Sequence, residues 1–241
     1  MTYKFNIAHL YAPYLNIYGD IGNIIALKQR CQWRGIEVSV ESISSCQEII
    51  GRDFDLFFIG GGQDKQQEVI AYDLAKYAKE FKSYVDDTNC VVLAICGGYQ
   101  LLGHYYKPHT GDKLPGISLI DAYTVASNTR MIGNVVVKLP DGSTLVGFEN
   151  HSGKTHLGSQ IEPIGKVLLG CGNNGEDGGE GAHYKNIFGT YLHGSLLPKN
   201  PNFADKLILL GLQRKYNIKE LNPLVDDFEN LAHNLAVNFK R

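Results

Sequence analysis

Apolar residues recur along the first hundred positions in two alternating rhythms. Short runs, KFNIAHLY (4–11), IEVSVESI (36–43), DFDLFFIG (53–60) and CVVLAI (90–95), predict strands. The last two are so continuously apolar at their ends that both faces must be covered. Between them, GNIIALKQRCQWRG (22–35) sets Ile24, Ile25, Leu27 and Cys31 at helical spacing and stops at Gly35. A polar-faced stretch from Asp64 to Asp87 predicts one long helix, and a short helix starts near Gly97. Strands alternating with helices predict an α/β fold around a mostly parallel sheet with helices on both faces.

From about residue 117 the rhythm shortens. ISLIDAYTV, GNVVVKLP, STLVGFEN, GKVLLG and NIFGTYLHG predict short strands divided by turn signals such as Pro140-Asp141-Gly142, an antiparallel extension of the same sheet. Two helical patterns, about 201–216 and 223–239, follow. No repeat and no linker divides the chain, so 1–241 is expected to form one domain.

Composition narrows the function. Of 241 residues, 44% are hydrophobic and 20% charged, with formal net charge −2 and no dense Lys/Arg run, so charge gives no case for nucleic acid or a membrane surface. The apolar run LILLGL (207–212) is far too short to cross a bilayer, and the first residues lack the pattern of a signal peptide. Five cysteines without a CxxC pair suit a reducing cytoplasm. GCGNNG (170–175) matches G-x-G-x-x-G, but EDGGEGAHY after it cannot open a helix, so a mobile hairpin tip is expected there. No GxxxxGK[ST] loop is present to hold ATP phosphates.

One cysteine is placed differently from the others. Cys96 stands between the buried run CVVLAI and Gly97-Gly98, where a strand turning sharply into a helix lifts its turn residue to the carboxyl end of the sheet. There the helix N-terminus favours a thiolate, and the Gly97 N–H can face a developing oxyanion. Cys31, Cys46, Cys90 and Cys171 sit in no such turn and read as ordinary buried thiols. A second glycine cluster, Gly60-Gly61-Gly62, ends another strand and would lie beside the Cys96 loop. The two loops together could supply both donors of an oxyanion hole, each worth roughly 3–4 kcal/mol. Of eight histidines, His193 ends the strand IFGTYLHG and is the expected base, with His151 the runner-up. His151 and His156 lack helical i,i+4 spacing and a third ligand, so no metal site is expected.

These motifs carry a resemblance. LAICGGYQLLG resembles the nucleophile motif of class I glutamine amidotransferases, and GTYLHG the histidine motif of their cobyric and cobyrinic acid synthase branch. YGDIGN (18–23), GGGQD (60–64) and GFENHSGKT (147–155) are similar to the small GatD-type glutaminase subunits of lipid II isoglutaminyl synthases. The resemblance implies that Cys96 attacks the side-chain amide of glutamine, that Gly62 and Gly97 bind the oxyanion, and that His193 activates the thiol. It implies that Gln100 and Arg130 hold the substrate, Arg130 through its α-carboxylate. It further implies that ammonia passes to a Mur-ligase-like (MurT-like) partner, which alone carries ATP and Mg and amidates D-glutamate of lipid II. The wider class carries Glu two residues after the histidine; here His193-Gly194-Ser195 has none, which leaves Asp20 and Glu149 as candidates to orient the ring. A corrinoid acceptor and a DJ-1-type cysteine hydrolase are the alternative readings.

Overall fold

Four strands lie side by side and parallel, the outermost of them, β2, largely exposed: β1 (Lys4–Leu10), β2 (Glu37–Ile43), β3 (Leu56–Ile59) and β4 (Val91–Ile95). The computed structural model describes residues 2–17, 19–62 and 64–239; Tyr18 of YGDIGN and Gln63 of GGGQD lie outside the described residues. Every residue of β3 and β4 is buried, as their unbroken apolar runs require. Helix α1 (Ile21–Trp33) follows β1, and α2 (Asp64–Lys76) with α3 (Ala78–Thr88) follows β3. The expected single helix over 64–87 is therefore two. At Tyr77 the backbone leaves the helical region (φ −108°, ψ 19°), and its N–H bonds Leu74 O, one residue short of the helical partner. The apolar spacing Ile70, Leu74, Tyr77, Phe81, Val85 runs straight through the break, so nothing in the pattern marks it.

After α4 (Gly97–Leu102) the chain builds a second six-stranded sheet. Its members are β5 (Tyr105–Lys107), β6 (Leu114–Pro115), β7 (Ala122–Lys138), β8 (Thr144–Leu157), β9 (Gly165–Leu169) and β10 (Gly179–Glu180). The β7–β8 hairpin turns at Pro140-Asp141-Gly142, and its register shifts between Ala126 and Met131. The antiparallel region is thus mostly a sheet of its own. The exceptions are β11 (Ala182–Tyr184) and β12 (Ile187–Thr190), which return to the first sheet and give it the order β11-β12-β4-β3-β1-β2. β12 runs parallel to β4, and this return sets up the site.

Helices cover both faces of the first sheet. Over the face bearing Phe5, Phe58 and Phe188 lies α5 (Pro201–Gln213); Phe188 meets Phe203 edge-on, and a Cβ on Gly211 would fall 2.5 Å from the Phe5 ring. Phe57 faces the other way, against Phe81 and Tyr84 of α3. The last helix is α6 (Asp227–Asn238). One apolar cluster joins the two sheets, with Ile7, Leu93 and Phe188 of the first and Val135, Val137 and Leu145 of the second. The glycine-rich stretch 170–175 is not a free tip. Asn173 and Asn174 are buried, bonded to Gly181, to the Thr155 backbone and to the Tyr99 hydroxyl. Their side-chain amides replace the backbone partners that the irregular chain lacks.

Candidate active site

Three adjacent parallel strands deliver the site. β3 runs into Gly60-Gly61-Gly62, β4 into Cys96, and β12 through Tyr191-Leu192 to His193. Because β12 pairs with β4 in the register Thr190–Ile95, residues just past both strands rise on the same side, and the Cys96 N–H donates to Thr190 O at 2.8 Å. Cys96 stands at φ 49°, ψ −106°, a backbone region that strongly favours glycine. Gly98 permits the turn: a Cβ there would fall 2.7 Å from Ile59 O. The two glycine loops meet, since a Cβ on Gly97 would lie 3.2 Å from the Gly62 nitrogen.

His193 is buried beside this turn and is held on its backbone by a two-way bridge to Phe148, with N···O distances of 2.8 and 3.2 Å. Its Nδ1 lies 3.6 Å from Oδ1 of the fully buried Asp20, whose other oxygen accepts from the Gly61 N–H at 2.7 Å. Burial alone would depress the His193 pKa. The Cys96 sulfur and the Asp20 carboxylate, both neighbours of the ring, outweigh it and push the value up to about 10. Asp20 is delivered by the loop after β1, immediately ahead of α1.

Glu149 is turned elsewhere. Its oxygens accept from the Cys171 and Gly172 N–H groups at 2.8 and 3.0 Å, and it lies 4.0 Å from His151 Nε2. Burial raises its pKa, and those two amides offset part of the rise. His151 stacks face to face on Tyr191 with ring centroids 3.6 Å apart, and its Nδ1 donates to Gly153 O at 2.8 Å. Burial, helped by the nearby charges of His193 and Arg130, pushes its pKa down to about 4.

Gln100 is buried with both amide atoms committed: Oε1 accepts from Gln67 at 2.8 Å, and Nε2 donates to the Tyr191 hydroxyl at 3.0 Å. Tyr191 in turn shares a hydrogen bond with Thr155 at 2.6 Å. Arg130 is exposed at the irregular part of β7, its Nε bonded to Asn150 at 2.8 Å, and among the described residues no acidic side chain pairs with it. Sequence reasoning overlooked Gln67, Tyr191 and Glu180. Glu180 is fully buried and accepts from the Thr190 hydroxyl at 2.6 Å and the Tyr191 N–H at 2.8 Å, fixing the segment between the Cys96 turn and His193. Its position inside a glycine-rich run hid it, since such runs read as loop.

The strand–cysteine–glycine turn, the facing histidine and the paired glycine loops form a cysteine amidase-type arrangement, and comparisons agree. Residues 6–201 match the CobB/CobQ-like glutamine amidotransferase domain. The chain is 42% identical to the glutamine-hydrolysing GatD subunit of lipid II isoglutaminyl synthase from Streptococcus pneumoniae, over 93% of this chain and 87% of that protein. The GatD subunit of Staphylococcus aureus is likewise 42% identical, over 88% and 86%. A cobyric acid synthase of Clostridium botulinum is 28% identical over 78% of this chain but only 38% of its own length. Among solved structures, a glutamine amidotransferase superposes with TM-score 0.59 at 13% identity, over 85% of this chain and 98% of that one. Another, from Thermotoga maritima, gives 0.53 at 15%, over 96% and 90%. At such identities these two likenesses speak for the fold. The chain belongs to the CobB/CobQ-like glutamine amidotransferases and, within them, groups with the GatD glutamine-hydrolysing subunits.

Proposed function

We propose that this chain hydrolyses L-glutamine at Cys96 as the glutaminase subunit of a lipid II isoglutaminyl synthase. The observation that carries the chemistry is the meeting, at the carboxyl ends of adjacent interior strands, of the strained Cys96 turn with a buried His193 whose proton affinity its neighbours raise. In this reading the Cys96 sulfur attacks the side-chain carbonyl carbon of glutamine as a thiolate, its proton held by His193. The N–H groups of Gly97 and Gly62 receive the oxyanion. His193 then gives its proton to the departing nitrogen, the C–N bond breaks, and ammonia leaves a glutamyl thioester. Water, deprotonated by His193, cleaves the thioester to glutamate and frees the thiol. Asp20 orients the ring in place of the glutamate that the sequence lacks two residues after His193. Gln100, tied to Gln67 and Tyr191, braces the nucleophile helix behind the substrate. Arg130 pairs with the α-carboxylate.

The likeness to GatD subunits supports the destination of the ammonia. A separate Mur-ligase-like synthetase activates the D-glutamate carboxylate of lipid II with ATP and Mg, takes up the ammonia and forms D-isoglutamine. Amidation by the purified pair tests this: lipid II should be amidated with glutamine and ATP, and Cys96→Ala should restrict the pair to free ammonium. Amidation with ammonium but never with glutamine would remove this chain as donor, and amidation of a corrinoid instead would move the acceptor. Arg130→Ala should raise KM for glutamine by about 10-fold or more, with unchanged alkylation of Cys96 by iodoacetamide. Equal loss of both would assign Arg130 a structural role.

A further inference from the structure

Asp20 and His193 face each other from strands that are not neighbours. Asp20 follows β1 and His193 follows β12, and β3 and β4 lie between those two in the sheet. No ladder of backbone bonds therefore fixes the carboxylate against the ring. On its β3 side the Asp20 loop is tied to Gly61, whose N–H serves the carboxylate and whose carbonyl accepts from the Ile17 N–H at 3.3 Å. On the other side the ties run straight to the chain just past His193. The Ser195 hydroxyl donates to Gly19 O at 2.6 Å, and the Leu197 N–H donates to Asn23 Oδ1 at 2.9 Å. Asp20 thus stands between two bonds that join its own segment, Gly19 to Asn23, to the segment that carries the imidazole.

Each of these ties is held at a local cost. Ser195 sits at φ 51°, a left-handed backbone that disfavours a side chain, yet a side chain is what makes the bond. Asn23 is wholly buried, and its Nδ2 has no hydrogen-bond partner among the described residues. Gly22, in the first turn of α1, leaves the space that Ser195 fills: a Cβ there would fall 2.2 Å from Ser195 Oγ and 2.8 Å from Ser195 Cβ. Glycine inside a helix is itself unfavourable. A left-handed serine, a half-satisfied asparagine and a helical glycine meet at one contact, and what that contact spans is the 3.6 Å approach of Asp20 to His193. Local rules broken together at one place mark a constraint set by function.

We infer that Ser195 and Asn23 are positioning residues for the glutaminase reaction: with Gly22 making room, they clamp the Asp20 loop onto the segment after His193 and hold the carboxylate against the ring. The inference rests on the reading above that Asp20 orients His193. It is tested in the full-length chain by glutamate release. Ser195→Ala should lower kcat about 10-fold, with KM for glutamine unchanged within about 2-fold. Gly22→Ala should reproduce that loss with the hydroxyl still present, although alanine favours the helix. Ser195→Gly should lose as much rate while melting at or above the parent's temperature, since the left-handed backbone suits glycine. Ser45→Ala removes a comparable hydroxyl bond, to Asp73, and should lower the melting temperature while leaving kcat alone. In an Asp20→Asn background the Ser195, Gly22 and Asn23→Ala changes should each cost less than about 2-fold, because the group they position is gone. Full effects in that background would show a clamp that acts without Asp20 and would overturn the inference. So would a parent-like kcat in Ser195→Ala and Gly22→Ala, or a loss carried by KM; with Asp20→Asn still slow, the orienting role of Asp20 would stand. An Asp20→Asn chain as fast as the parent removes that role and the inference with it.

Discussion

Two buried imidazoles stand near each other, each with a carboxylate about 4 Å away, and they behave in opposite ways. His193 lies 3.6 Å from Asp20, and its pKa is pushed up to about 10. His151 lies 4.0 Å from Glu149, and its pKa is pushed down to about 4. Distance to an acid does not separate them. Glu149 already serves the Cys171 and Gly172 amides, and desolvation raises its own pKa, so it offers His151 little. Asp20 accepts one amide and keeps its second oxygen toward His193, and His193 also has the Cys96 sulfur as a neighbour. A histidine takes up a proton where uncommitted negative charge outweighs its loss of water.

The contrast is sharpest at the sulfur. Cys96→Ala should abolish glutamine hydrolysis, measured as glutamate release, while the protein keeps its fold; retained turnover would end the case for this turn. His193→Ala should cost about 10²–10⁴-fold in kcat, whereas His151→Phe, which keeps the stack on Tyr191, should cost at most about 10-fold. A reversal of those two would exchange the roles of the pairs. Asp20→Asn should lower kcat by about 10²-fold with little change in KM, and Glu149→Gln by a few-fold at most; equal effects would mean that the ring is not oriented by Asp20.

The smallest effect separates the pairs by pH. His151 has a folded pKa below its ordinary 6.5, so the fold resists its protonation. Its contribution is intact above about pH 6.5 and is lost as pH falls through about 4. His151→Phe should therefore gain melting temperature relative to the parent as pH drops across that window. Glu180 runs the other way. Burial pushes its pKa up to about 7, so its contribution is present below about 4.5 and fades as pH rises through 7. A His151→Phe difference that stays constant from pH 7 to 4 would show that the ring does not titrate with folding.

Most of this chemistry was legible in local pattern because it sits where strands end. Apolar strand followed by Cys96 and glycines, and apolar strand followed by His193, are signals that a parallel sheet converts into proximity. Asp20 was legible only as a candidate, because its partner is set by a loop crossing to β3, not by spacing. Three features left no local trace. The second sheet depends on which strands pair, and period-2 patterns do not name partners. The break at Tyr77 preserves the apolar spacing. Glu180 and the packed asparagines lie in glycine-rich sequence that reads as loop until tertiary hydrogen bonds close around it.

The backbone of Cys96 carries a last consequence. At φ 49°, ψ −106° a side chain costs about 1–3 kcal/mol, and glycine at that position would shed most of the cost against a smaller loss from its freer unfolded chain. The Cys96→Gly protein should thus melt at or above the parent's temperature while hydrolysing nothing. Selection for robustness alone would drift toward that silent variant, and only demand for the reaction holds the sulfur in place.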